Sequence, residues 1–432
     1  MIVFISLNII VSLILWKKIY SPIFRGYLLI NFLLFLNPAI LFLLTGAKHP
    51  QYDPNTSNYS LALSYIAIFN ILLGISYKLS YQLVPVIKKF RKNLWEGKID
   101  KFINSKSLIT ANILIFIFAY FCKYILDILG AFRMGGIVSG FLPFLQLTKV
   151  LASMDLFAII MFSQIRRKTT SNKRLINNVF FISIVATLVS SVYTGSRGAT
   201  LLVIIITLVS YWKEISKKKF FLIPIFAVAF PYIFGIFPIL SAYRNFNYNW
   251  SEAFRIFELI DYNPLDIMVD TLVSRLNYLE TVARAINNAI IFGPEGGELY
   301  LDNFLGLIPR LFWPDKPEIT TDGVLIGHTL ELLNYNDEKT SVGLSVIGES
   351  FFHFGWLGLW VSSLQGFIFA FITKNCYRPS SAISMTIFTY SAINILKYDG
   401  YFAVLPGLIW LLIIIFIYLY ILKKLLPNRI PE

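Results

Sequence analysis

The chain has 432 residues, of which 56% are hydrophobic and only 14% charged, with a mean hydropathy of +0.67. Runs of about 18–23 residues with little or no charge recur along it, the length needed to cross a bilayer. A soluble enzyme, a disordered chain and a disulfide-stapled secreted domain are thereby excluded, and the net charge of +14 falls mostly in short loops, the mark of a membrane protein's cytoplasmic face and not of a nucleic-acid surface.

Taken in chain order, the apolar runs predict an all-α polytopic membrane protein of about 11 transmembrane helices. The spans fall at roughly 2–16, 27–46, 59–77, 108–130, 141–165, 176–194, 198–212, 220–242, 350–373, 380–396 and 402–422. The first has no basic residue before it and no small-residue cleavage site after it, so it reads as a retained span and not as a signal peptide. Loops after odd-numbered spans hold Lys17, Lys18 and Arg25, then Lys78 to Lys106, Arg166 to Arg174, Lys213 to Lys219, Lys374 with Arg378, and Lys423, Lys424 and Arg429. Loops after even-numbered spans hold single basic residues at Lys48, Arg133, Arg197 and Lys397, apart from one long acidic loop. This alternation predicts a multi-pass protein of the cytoplasmic (inner) membrane with its N-terminus outside and its C-terminus inside.

The chain divides accordingly into an N-terminal bundle of about eight spans over 1–242, an outward-facing periplasmic loop over 243–348, and about three C-terminal spans over 349–432. The loop carries 7 basic and 15 acidic residues, a balance of −8, so the remainder carries +22. It reads as mainly helical. Asn263-Pro264 opens a helix with proline at its first position. Apolar residues then recur at helical spacing from Leu265 to Ile286, and a short helix follows at Val324 to Leu333. On the first of these, Glu280 and Arg284 form an i,i+4 pair that reads as an exposed surface pair. Gly293-Pro294-Glu295-Gly296-Gly297 is a turn without the Gly-Lys-Ser/Thr of a phosphate loop.

Cys122 and Cys376 suggest no disulfide, and His49, His328 and His353 lack metal-ligand spacing. No metal and no cofactor is expected.

The chemistry falls to arginines and acids near the predicted outer surface. Tyr193-Thr194-Gly195-Ser196-Arg197-Gly198 is a tight turn there. Arg197 is either a ligand-binding residue at membrane depth or a side chain that snorkels to headgroups. Arg244 leaves the eighth span on the same side, and Arg310 lies in Pro309-Arg310-Leu311-Phe312-Trp313-Pro314-Asp315-Lys316-Pro317. For both, the alternative is an interface anchor with incidental charge. Arg133, beside Gly135-Gly136, belongs to the same set. Guanidinium forks bind phosphate oxygens in bidentate fashion and stay charged at physiological pH.

Glu349 and Asp399 are the acids placed to orient or deprotonate a sugar hydroxyl; salt bridges to the arginines account for them equally well. Asp302, Asp322 and His328 are further loop candidates. Asp127 follows Lys123 by four residues inside one span, which reads as a mutual intramembrane pair.

The Gly195-Ser196-Arg197-Gly198 turn, the Pro309-to-Pro317 stretch, and Glu349 with Phe354-Gly355 together resemble the Wzy-type oligosaccharide repeat-unit polymerases of O-antigen and capsule assembly. The likeness in layout extends over the whole chain; it departs from the family pattern at the last outward turn, where Lys397 stands in place of an arginine. The resemblance implies a GT-C-like membrane glycosyltransferase that polymerises undecaprenyl-diphosphate-linked oligosaccharide repeat units with inversion. It also implies undecaprenyl-diphosphate-linked oligosaccharide and the lipid bilayer as partners, with a chain-length regulator protein as a further partner and no nucleic acid. Arg197, Arg244, Arg310 and Arg133 would hold the diphosphate, and Glu349 and Asp399 would serve the acceptor hydroxyl. The alternatives are an O-antigen ligase, which uses the same donor, and a lipid-linked oligosaccharide flippase. A flippase more often has two related halves.

Overall fold

The computed structural model describes residues 1–45, 56–85, 102–103, 105–128, 148, 151–193, 202–204, 206–207, 249–252, 255, 278–297, 313, 322–332, 343–396 and 401–426. All regular secondary structure among them is helical. The helices are α1 (Ile2–Lys18), α2 (Pro22–Asn31), a π-helical segment (Phe32–Leu36), α3 (Asn37–Thr45), α4 (Thr56–Leu83), α5 (Lys106–Ile128), α6 (Met154–Lys168) and α7 (Lys173–Tyr193). They continue with α8 (Tyr278–Phe292), α9 (Asp322–Thr329), α10 (Ser345–Phe354), a 3-10 turn (Gly355–Leu359), α11 (Trp360–Cys376), α12 (Ala382–Leu396) and α13 (Tyr401–Leu425).

Five helical stretches among the described residues are long and apolar enough to cross a membrane: Pro22–Ile40, Asn58–Leu83, Lys106–Leu126, Lys173–Ser191 and Ser345–Cys376. Their outer faces are apolar too, as with Ile68, Ile71, Ile75 and Leu79 on α4 and Phe181, Ile182, Val185 and Val189 on α7. A helix apolar on both its packed and its unpacked faces belongs in lipid. The chain is therefore a helical membrane protein. The span expected at 220–242 lies outside the described residues, as does most of that at 198–212.

Two compact units make up the chain. One comprises Met1–Lys88, Val273–Tyr377 and Ser391–Leu412; the other comprises Lys89–Leu272, Arg378–Tyr390 and Ile413–Glu432. Each draws on early and late parts of the sequence.

In the first unit, α4 and α11 form the central pair. Gly366 lets their backbones meet: a Cβ there would lie 2.8 Å from the Leu73 carbonyl oxygen and from the Tyr77 nitrogen. Helix α2 starts as its sequence demands, with Ser21 as cap and Pro22 in the first turn. It lays Phe24 and Tyr27 against Phe369, at centroid distances of 6.4 and 5.6 Å. Tyr27 Oη and Asn31 Nδ2 both donate to Asn70 Oδ1 at 2.9 Å, and Asn8 Nδ2 donates to the Leu63 carbonyl at 2.8 Å. These bonds satisfy polar groups where no water can. The π-helical segment ends just before Asn37-Pro38. Proline has no N–H for the Leu34 carbonyl and its ring would crowd that oxygen, so the turn ahead of it widens.

The sequence between α10 and α11 breaks where a left-handed residue is needed, at Gly355 with φ 58°. The next glycine, Gly358, packs into α10 so closely that a Cβ would lie 2.0 Å from the Ser350 carbonyl oxygen and 3.0 Å from Tyr65 Oη. Both neighbours are held, since Tyr65 and Ser350 hydroxyls bond at 3.0 Å. Gly358→Ala must displace backbone, and it is expected to destabilise the protein by about 1–3 kcal/mol, the usual range for overpacking. A thermal midpoint in detergent equal to that of the unsubstituted protein would contradict this packing.

The second unit is built on α5, α6 and α7, with parts of α12 and α13. Phe157 packs between Tyr390 and Tyr418, at 5.2 and 4.3 Å, and Asn112 donates to the Ala158 carbonyl at 3.0 Å while accepting from Tyr418. Tyr120 Oη donates to Thr187 Oγ1 at 3.3 Å. Lys123 pairs with Asp155 on α6, where the i,i+4 spacing had pointed to Asp127 within its own span; the Asp127 side chain lies outside the described residues. Packing of α5 on α6 supplies a partner that spacing along one helix cannot reveal.

Candidate functional site

Charged groups of the first unit, among its described residues, sort to its two ends. At one end Ser21 bonds Thr373 at 3.0 Å, and Lys374 Nζ donates to the Tyr81 carbonyl at 2.7 Å. Helix termini bearing Lys17, Lys18, Arg25, Lys78 and Lys374 therefore meet there, although three separate loops supply them. The other end is formed by α8, α9, α10 and the first turns of α4, and it holds Glu280, Glu295, Glu331 and Glu349.

Helix α10 carries most of the polar groups at this second end. Ser345, Glu349, Ser350 and His353 are all buried on it. Ser345, Glu349 and His353 are spaced four apart, so they share one face. Glu349, the acid singled out from the sequence, is 4% exposed. Both ends of α10 have left-handed backbone: Ser345 at φ 64° and Gly355 at φ 58°. A buried serine with positive φ stores strain, a feature that clusters at functional sites.

Helix α8 packs across α10, with Val282 Cγ2 within 3.3 Å of where a Gly348 Cβ would stand. Asn58 Nδ2 ties α4 to α8 by donating to Asn287 Oδ1 at 3.2 Å. The turn that ends α8 then folds back onto α10. Glu295 N–H donates to the Phe352 carbonyl at 3.1 Å and Gly296 N–H to the His353 carbonyl at 2.9 Å, so two carbonyls left open by the helix end are satisfied. The Glu295 carboxylate bonds His353 Nδ1 and accepts from Gly297 N–H at 3.0 Å through Oε2. Gly293, Gly296 and Gly297 all have positive φ, between 83° and 88°, which is why three glycines occur in this turn.

A carboxylate on Nδ1 fixes the ring's orientation and leaves Nε2 as the acceptor nitrogen of a neutral imidazole. One turn away stands the Glu349 carboxylate. The arrangement places two proton acceptors on one helix face and holds one of them by a third group, the chemistry needed to orient a hydroxyl and take up its proton, although His353 Nε2 and Glu349 are both enclosed here.

Arg284 requires a correction. Its spacing to Glu280 suggested an exposed pair, yet the two are 6% and 2% exposed. Arg284 Nε and Nη2 donate to Glu280 Oε1 at 3.2 and 3.1 Å. Nη1 donates to the carbonyls of Leu330 and Glu331, each at 2.9 Å. The guanidinium thus fastens α8 to the end of α9, over an apolar contact of Ala285, Ile326, Leu330, Leu344 and Phe352. It is buried because α9 and α10 cover the face of α8 that spacing alone left open.

Of the residues chosen from the sequence, Glu349 lies in this cluster. Arg133, Arg197, Arg244, Arg310 and Asp399 lie outside the described residues, as does Asp302. Asp322 opens α9 and His328 lies in its last turn. Sequence reading missed the His353–Glu295 pair, whose members are 58 positions apart. The available signal was the four-residue spacing of Glu349 and His353. No group of His, Cys, Asp or Glu that could hold a metal ion occurs among the described residues.

No protein-family model matches the chain, and no curated protein or solved structure matches it either.

Proposed function

We propose that the chain is an inverting membrane glycosyltransferase that polymerises undecaprenyl-diphosphate-linked oligosaccharide repeat units at the outer face of the cytoplasmic membrane. The observation that carries this reading is the buried acid–imidazole face of α10, with Glu349 and His353 one turn apart and Glu295 orienting the ring. It lies at the end of the first unit opposite the gathered lysines and Arg25, the end that charge sorting assigns to the outside. The sequence motifs around Arg197 and Arg310 supply the resemblance to repeat-unit polymerases.

In this reading a hydroxyl of the acceptor's terminal sugar attacks the anomeric carbon of the donor glycan. The acceptor C–O bond forms as the bond to the diphosphate breaks, and a single displacement inverts the centre. Glu349 receives the hydroxyl proton. Arg197, Arg244 and Arg310, with Arg133, hold the departing diphosphate and stabilise the charge that develops on it. Asp399 is a second acid available to the acceptor.

Deleting the gene tests the reading in cells. Surface lipid should then carry a single repeat unit, with the longer ladder absent. Loss of even that single unit from the lipid A core would instead identify a ligase. Accumulation of repeat units on the inner face would identify a transporter.

A further inference from the structure

Among the described residues, the cationic end of the first unit has no acid to balance it. Residues 1–45 and 56–85 contain no Asp or Glu, and neither does α11. Lys374 is satisfied by the carbonyls of Tyr81 and Gln82, at 2.7 and 3.4 Å. Arg25 is held differently. Its guanidinium carbon lies 4.9 Å from the ring centroid of Tyr20 and 5.3 Å from that of Trp16. Nη2 donates to the Trp16 carbonyl at 3.3 Å. Nε is enclosed without a partner among the described residues, whereas Nη1 is neither enclosed nor bonded among them.

Arg25 also stands in the first turn of α2, where the backbone's own partial charge is positive and a cation is disfavoured. Lys17 and Lys18 end α1 immediately before it. Two aromatic rings thus hold a guanidinium in a place that the helix end and the neighbouring lysines oppose, with one edge open among the described residues. An anion would relieve that arrangement.

We propose that Arg25, walled by Trp16 and Tyr20 and flanked by Lys17 and Lys18, binds the headgroup phosphate of an anionic phospholipid in the leaflet at that end. The planar fork matches two phosphate oxygens, which a lysine cannot do. Trp and Tyr favour the headgroup level, and juxtamembrane cations attract anionic lipid. A free phosphate would use the same nitrogens. A lipid also covers the apolar surface beside them, where Leu13, Ile14 and Leu29 are exposed.

Native mass spectrometry of the full-length protein, released from micelles holding equal phosphatidylglycerol and phosphatidylcholine, tests this. The unsubstituted protein should retain phosphatidylglycerol preferentially. Arg25→Gln should lower the retention ratio about tenfold, a change of roughly 1.4 kcal/mol. Arg25→Lys should keep part of the preference, and Lys374→Gln should leave it unchanged. An unaltered ratio in Arg25→Gln overturns the proposal. If that variant is not monodisperse, Tyr20→Leu decides instead, since it keeps the charge and removes one wall: an unaltered ratio there overturns the proposal equally. Inorganic phosphate in large excess should leave the lipid bound. Displacement by phosphate alone would overturn the lipid assignment in favour of a free anion.

Discussion

Arg284→Ala is expected to cost the protein about 3–5 kcal/mol of stability, the range for breaking a buried ion pair by removing one partner. The substitution leaves the Glu280 carboxylate buried without its cation. It also removes the donor from the carbonyls of Leu330 and Glu331 at the end of α9. Those two losses separate experimentally. In Glu280→Leu/Arg284→Met the stranded charge is gone, so part of the stability should return; the carbonyls remain unsatisfied, so the recovery should stay incomplete. Unfolding in mixed micelles, followed by circular dichroism, measures both. A loss under about 1 kcal/mol in Arg284→Ala would mark an exposed pair and would contradict the burial described above.

The largest effect on activity is expected at the arginines and the acid of the proposed transfer. Arg197→Ala and Arg310→Ala should each lower polymer formation by roughly a hundredfold to a thousandfold, about 3–4 kcal/mol, as when one transition-state donor is removed. Lysine at either position keeps the charge but loses the fork, so rescue should be partial. Glu349→Gln should lower the rate about a hundredfold to ten-thousandfold, with the amount and monodispersity of the protein unchanged. Arg284 cannot serve as the neutral comparison, because its loss damages the fold. Arg166 can. It is half-buried, ends α6 and donates to Asn177 Oδ1 at 2.9 Å, with no part in the proposed transfer, so Arg166→Ala should leave activity intact. Polymer formation from purified lipid-linked repeat units is the measurement. Full activity in Arg197→Ala and Arg310→Ala would remove the diphosphate role, and full activity in Glu349→Gln would remove the acid's.

How much of this was legible in the sequence differs by level. Apolar length located α5 and α7 within three residues at each end, because a helix in lipid needs only unbroken hydrophobicity, whereas the single span expected at 350–373 is divided among the end of α10, the 3-10 turn and α11. Loop charge anticipated that Lys17, Arg25, Lys78 and Lys374 would share an end. Glu349 could be picked out because an acid inside an apolar run is rare. Pairings across helices could not be read. Glu295 meets His353, and Lys123 meets Asp155, through packing that brings distant positions together. Neither pair leaves a periodic trace. Arg284 illustrates the same limit: an i,i+4 spacing is identical whether the face looks at solvent or at another helix.

The Lys123–Asp155 pair has a consequence for how the protein is made. A lysine or an aspartate carried singly into the middle of a bilayer costs about 2.5–3.5 kcal/mol, less toward the helix ends. In the second unit Lys123 on α5 and Asp155 on α6 neutralise each other, and Asp155 also accepts from Leu156 N–H at 2.7 Å. Each span is thus a poorer membrane passenger alone than with its neighbour. Entry of α5 and α6 together as one helical hairpin would keep either charge from meeting lipid alone. Substituting either charge alone would strand the other during biogenesis, before the finished protein's packing could matter.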